Sequence, residues 1–208
     1  MNTSYTQVDH FIGATDWSGY LSLLEALQGP RVRVTFDRGR VELRNTSYKH
    51  ERVRTLFHQM VNFVCFEREV DFWDLGSRNY HDQTIERGFE PDEWYFFSPR
   101  LEELDGLQGP ETPRPDLVIE VEVSASALNR LDIFAAFGVP EVWRYTSQDT
   151  VVVLILEGGG YREVTHSRFL PFLPPTVIAE FIAKGLESSN TRLWLKEIRE
   201  WLLEHPSE

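Results

Sequence analysis

Polar and apolar residues alternate in two short runs, Arg31–Phe36 (RVRVTF) and Arg40–Asn45 (RVELRN), on either side of Asp37-Arg38-Gly39. Alternation of period two about a turn glycine predicts a β-hairpin with one apolar face. From Ser47 the period lengthens: Val53, Leu56, Phe57, Met60, Val61 and Val64 fall on one stripe, which predicts a core helix with Ser47 as its N-cap. Upstream, Asp16 or Ser18 caps a shorter helix through Leu21, Leu23, Leu24 and Leu27, stopped at Gly29-Pro30. Val70–Leu75, Glu93–Phe97, Leu117–Val123 and Val139–Tyr145 read as strands, and Val151–Leu156 with Tyr161–Val164 as a hairpin about Gly158-Gly159-Gly160. A helix from a Ser124-Ala125-Ser126 cap to Phe137 joins the third and fourth of those strands, so that pair is expected to be parallel. Two amphipathic helices end the chain: Pro175–Leu186, burying Val177, Ile178, Phe181 and Ile182, and Asn190–Leu203, burying Leu193, Trp194, Ile198, Trp201 and Leu202.

The order of elements predicts an α/β protein with a mixed β-sheet core flanked by helices. Residues 1–30 are expected as an N-terminal extension, 31–170 as the core, and 171–208 as a helical tail packing on the core or on a partner subunit. With 208 residues, 41% of them hydrophobic, the chain can bury a sizeable interior. No apolar run approaches the roughly 18 residues a membrane span needs. Met1–Asp16 lacks a secretory pattern, and the lone Cys65 forms no internal disulfide, which together predict a cytoplasmic protein. A net charge of −12 argues against holding nucleic acid by a general electrostatic field. It leaves room for a local basic cleft, and Arg38, Arg40, Arg52, Arg54, Arg78, Arg114 and Arg130 lie in or near the segments that could line one.

Candidate chemistry starts at Leu117–Val123 (LVIEVEV), a β-branched strand interrupted by Glu120 and Glu122. Alternate strand residues share a face, so these carboxylates project together, roughly 7 Å apart at Cα, with Asp116 on the same side. Like charges on a half-buried face need a metal ion, a basic partner or a proton. Asp92 opens the strand at Glu93, Arg130 lies in the helix that follows Leu117–Val123, and His50 falls at the edge of the core helix's apolar stripe. Two or three acids converging from neighbouring strands make a Mg²⁺ or Mn²⁺ site, with Arg130 the local cation for a phosphate. The plainer alternatives are a turn residue at Asp92, a solvated strand residue at Glu122 and a helix-terminal polar group at His50.

His50-Glu51, Gly88-Phe89-Glu90-Pro91-Asp92-Glu93, Pro115-Asp116-Leu117-Val118-Ile119-Glu120-Val121 and Gly138-Val139-Pro140-Glu141-Val142-Trp143-Arg144-Tyr145 together resemble the Uma2 family (DUF820) of the PD-(D/E)XK nuclease superfamily. The resemblance implies a restriction-endonuclease-like fold and a metal-dependent endonuclease acting on DNA, expected here as a homodimer. It makes Asp92 the metal-binding aspartate, Glu120 the acid of the (D/E)XK element and the Val121 carbonyl a further ligand. Glu122 then stands where the superfamily has lysine, and Arg130 occupies the position of a helix lysine that replaces it in many Uma2 proteins. Arginine clamps phosphate but is a poor proton acceptor. The competing expectation is therefore a nuclease-like domain without catalysis that serves as a dimeric binding or regulatory module.

Overall fold

The structure, a computed structural model, describes residues 10–27, 32–74, 79–97, 114–123 and 126–206. In chain order its elements are β1 (His10–Ala14), α1 (Trp17–Ala26), β2 (Val32–Asp37), β3 (Arg40–Asn45), α2 (Tyr48–Glu67), β4 (Trp73–Asp74), β5 (Tyr80–Asp82) and β6 (Arg87–Phe89). There follow β7 (Glu93–Phe96), β8 (Leu117–Val121), α3 (Arg130–Ala136), β9 (Glu141–Tyr145), β10 (Val151–Glu157), β11 (Gly160–Val164), α4 (Pro175–Glu187) and α5 (Thr191–Glu204). Among the described residues no helix is long and apolar enough to cross a membrane.

The strands form two sheets. One is antiparallel, in the order β1-β3-β2-β6-β5; the other is mixed, β11-β10-β9-β8-β7-β4, with β8 and β9 as its parallel pair. The β8–α3–β9 crossover is thus the one expected from the sequence. Residues 10–26, expected as an extension, belong to the first sheet: β1 pairs along β3 and α1 covers the hairpin.

Every residue of β8 is buried, because the second sheet is covered on both faces. Leu117, Ile119 and Val121 meet Leu56, Phe57 and Met60 of α2, and the tail helices close the same core with Ile178, Phe181, Trp194 and Ile198. Val118 turns the other way, toward Ile133 and Phe134 of α3 and Phe89 of β6. The tail therefore packs on α2, with Leu193 the exception among its expected inward residues, at 46% exposed.

Three local boundaries differ from expectation for identifiable reasons. Ser126 spends its hydroxyl on Glu42 (2.7 Å) and Leu128 O, so α3 starts later, capped by Asn129; Ser124 and Ala125 lie outside the described residues. Val70 N–H closes the end of α2 by bonding Cys65 O (2.9 Å), with Glu69 at φ 53, and only Trp73–Asp74 of the expected strand pairs with β7. Leu75 is outside the described residues. The β10–β11 turn narrows to Gly158-Gly159, both at positive φ, the geometry that matches strand twist.

The β2–β3 hairpin positions the site. Its apolar face, Val34, Phe36 and Val41, packs on Tyr20 of α1. Its polar face, Arg33 and Thr35 opposite Arg44 and Glu42 in register, is buried as well. That face is laid against the carboxylates of the second sheet.

Candidate metal and phosphate site

Asp92 precedes β7 and Glu120 is the fourth residue of the neighbouring β8. The two are tied through the backbone: Val121 N–H donates to Asp92 Oδ2 at 2.7 Å. Both acids are essentially inaccessible, at 1% and 0% exposed. Asp92 Oδ1 lies 3.1 Å from His50 Nε2 and 3.9 Å from Arg33 Nε. The His50 approach is an ion contact without hydrogen-bond alignment, so this buried oxygen has no hydrogen-bond partner. Burial alone would raise the Asp92 carboxyl; contact with His50, followed by the charges of Arg33 and Arg44, outweighs it and holds Asp92 far below the usual carboxylate range.

Glu120 is gripped by two guanidiniums. Arg44 Nη2 donates to Oε1 at 3.1 Å and Arg130 Nη2 to Oε2 at 2.9 Å, and Arg130 Nε lies 2.6 Å from Oε1. Burial pushes the Glu120 carboxyl up, against the opposing pull of Arg130 and Arg44. Arg130, the first residue of α3, is anchored further by bonds to Thr35 Oγ1 (2.6 Å) and Glu90 O (3.0 Å) and stacks over Phe134. Arg33 pairs with Glu90, and Glu42 accepts from Ser126 Oγ and Ala127 N. His50, capped into α2 by Ser47, has Asp92 on one ring nitrogen and Glu51 Oε1 3.2 Å from the other. Burial disfavours its charged form, but Asp92, at contact and through its field, raises its pKa, with Glu120 adding to this.

The structure thus brings Asp92, Glu120, Arg130 and His50 together. Glu122 lies just past the end of β8, where its carboxylate pairs with Arg144 and accepts from Arg144 Nε at 3.2 Å. Val121 contributes its amide to Asp92. Asp116 is elsewhere, accepting from Phe97 N at 2.8 Å. Of the arginines considered from sequence, Arg52 caps α4 through Gly185 O, Arg54 joins Glu51 and Glu93, and Arg38 and Arg40 are exposed at the hairpin turn. Arg78 lies outside the described residues. The arginines that sequence reasoning missed are Arg33 and Arg44, with Glu42 and Glu90 beside them.

Two carboxylates are the hard oxygen donors that a divalent ion takes, but Asp92 Oδ1 already faces the His50 imidazole at 3.1 Å and both Glu120 oxygens accept from arginine. Among the described residues no three His, Cys, Asp or Glu side chains are grouped to hold a metal, so any ion here takes its other ligands from backbone or water. Positive side chains already crowd the acids.

Next to the site, Glu93 is fully buried between Arg54 Nη1 (2.5 Å) and His58 Nδ1 (3.3 Å), which pins β7 to α2 one residue from Asp92. The contact with Glu93 raises the His58 pKa, against partial burial and helped by the fields of Glu93 and Asp74. With the folded pKa above its unfolded value near 6.5, this interaction contributes fully below pH ~6.5 and is lost as pH rises through the folded value. An NMR titration of the His58 ring is expected to give a pKa above 6.5 that falls in Glu93→Gln; an identical titration in both proteins would refute the assignment.

A mixed sheet with helices on both faces, an acid entering one strand and a second acid along its neighbour, defines a restriction-endonuclease-like fold. The chain belongs to the Uma2 family, whose model, described as "Putative restriction endonuclease", matches residues 17–187. Its fold is similar to that of a solved protein from Anabaena variabilis ATCC 29413, described as "a putative nuclease belonging to DUF820". The TM-score is 0.55 at 15% identity, over 83% of this chain and 98% of that one. No curated protein sequence matches the chain.

Proposed function

We propose that the protein is an endonuclease that hydrolyses DNA phosphodiester bonds with Mg²⁺ or Mn²⁺, using Asp92 and Glu120, with the Val121 carbonyl, as metal ligands. The observation that carries this reading is the pairing of two buried acids across β7 and β8, tied by the Val121 N–H on Asp92 Oδ2. Bound there, the ion would supply a water of lowered pKa and stabilise charge on the phosphoryl oxygens. The chain's own groups do the rest. His50, Arg33 and Arg44 keep Asp92 ionised, and Arg130, fixed by Thr35, Glu90 and Glu120, is the local positive charge beside the reacting phosphate. Glu122, neutralised by Arg144, borders the site as an acid rather than as the base a lysine would provide.

Support for the alternative, a non-catalytic binding module, comes from Glu120, both of whose oxygens already accept from arginine. Incubating the protein with plasmid and single-stranded DNA in Mg²⁺ or Mn²⁺ separates the two. Cleavage that needs the ion and disappears in both Asp92→Ala and Glu120→Ala is expected; cleavage that survives both excludes this site, and no cleavage by the folded wild type favours the binding module.

A further inference from the structure

The outer strands of the two sheets differ in how they end the hydrogen-bond ladder. Among the described residues β4 has two residues and β5 three, and β11 carries Arg162 and Glu163. Shortness and charge guard a sheet edge against pairing with another chain. β1 has neither guard. It runs five residues, His10-Phe11-Ile12-Gly13-Ala14, with Phe11 50% and Ile12 44% exposed.

The register of β1 fixes which of its backbone groups face outward. Thr15 N–H donates to Gly39 O at 3.0 Å and Gly13 stands opposite Val41, so Phe11, Gly13 and Thr15 take the bonds to β3. The amides and carbonyls of Ile12 and Ala14 therefore point to the open edge. Side chains alternate as well: Phe11 and Gly13, opposite Leu43 and Val41, lie on the α1 face, and Ile12, opposite Glu42, lies on the other. On the α1 face the strand borders a groove of about 530 Å³, lined by Gly13, Gly19, Ser22, Leu23 and Ala26 and by no charged residue.

Such an edge accepts an extended strand, and β1 is its own complement. A two-fold antiparallel pairing that sets Ile12 opposite Ile12 of a second copy uses every outward-facing group of the strand. It also sets Phe11 of each copy opposite Gly13 of the other, a bulky ring facing a position with no side chain beside a groove of small residues. Charge agrees with this choice. Two copies of a chain with net charge −12 approach closely only where acids are absent, and neither β1 nor the groove carries one. Paired strands and grooves together bury on the order of 1,000 Å², below the roughly 1,200–2,000 Å² of stable interfaces, so the association is micromolar rather than permanent.

We propose that β1 is a homodimer interface that joins the antiparallel sheets of two copies into one continuous sheet. The inference does not depend on how Asp92 and Glu120 are used. Because strand pairing keeps each residue on its own face, both α1 helices fall on one side of the joined sheet and both carboxylate sites on the other.

The test is sedimentation equilibrium of the full chain over roughly 1–200 µM, the range in which an interface of this size dissociates. Wild type is expected to pass from monomer to dimer across that range. Ile12→Lys sets two like charges opposite each other, and Ile12→Pro removes an outward amide that β3 does not use. Both are expected to weaken association about tenfold or more with near-ultraviolet circular dichroism unchanged. Register is read by cross-linking. Paired Ile12 positions lie about 5.5 Å apart at Cα, within disulfide reach, so Ile12→Cys is expected to give a covalent dimer on air oxidation, whereas Phe11→Cys, displaced along the strand, is not. The native Cys65 is buried and takes no part. A wild type that stays monomeric throughout overturns the proposal and leaves the edge to a foreign strand. A dimer that persists unweakened in the folded Ile12 variants, or that gives no covalent product with Ile12→Cys, overturns it by placing the contact on another face.

Discussion

Glu120→Ala is expected to abolish ion-dependent cleavage and also to lower the melting temperature by roughly 10 °C. The second effect follows from what the carboxylate does without any ion. It is fully buried, and its loss strands Arg44 and part of Arg130 as uncompensated charges in the interior. Removing one partner of a buried ion pair costs about 3–5 kcal/mol, a large share of the roughly 5–15 kcal/mol that keeps a domain folded. Glu120→Gln keeps an acceptor oxygen in the same volume, so it is expected to lose cleavage while melting between wild type and the alanine variant. Thermal denaturation of the three proteins measures this. A melting temperature for Glu120→Ala within a degree or two of wild type would mean that the guanidinium clamp does not form.

Asp92→Asn separates chemistry from stability more cleanly. The amide oxygen can still accept from Val121 N–H, so the tie between the start of β7 and the end of β8 is kept. What goes is the negative charge that His50 and Arg33 face, and the oxygen that has no other partner. Cleavage is expected to fall by about 100-fold or more, since even groups that only orient metal ligands cost 10–100-fold when replaced. The loss of melting temperature is expected to be smaller than for Glu120→Ala. His50, deprived of its contact partner, is expected to titrate at a lower pH than in wild type. Activity equal to wild type in a folded Asp92→Asn protein would remove Asp92 from the machinery.

Most of the second sheet was legible because its signals are local. Leu117–Val121 is β-branched on both faces and proves to be buried on both, and the apolar stripe of α2 and the Ser47 cap are where the periodicity places them. The site was legible only from one side. The acids stand out because carboxylates interrupt an apolar run, whereas Arg33 and Arg44 sit at the polar positions of an ordinary amphipathic hairpin. Alternation tells which face is apolar, not what covers the other.

There was a usable signal. The short turn pairs Asp37 with Arg40 and hence Arg33 with Arg44. Two like charges directly opposite each other are unfavourable unless an acid faces both. Such a pair calls for a carboxylate partner whose identity is not local, since Glu120 comes from a different sheet 76 residues away. The late start of α3 has the same character: Ser126 is a good cap by composition, but a tertiary contact with Glu42 claims its hydroxyl and leaves the role to Asn129.

On the proposed reading, Asp92 and Glu120 share a divalent ion during the reaction. The most direct measurement is an anomalous difference map at the manganese edge from crystals grown with Mn²⁺ and a short DNA duplex. A peak roughly 2.1 Å from a carboxylate oxygen of each residue is expected. DNA seated at the site with no peak between the two acids would rule that sharing out.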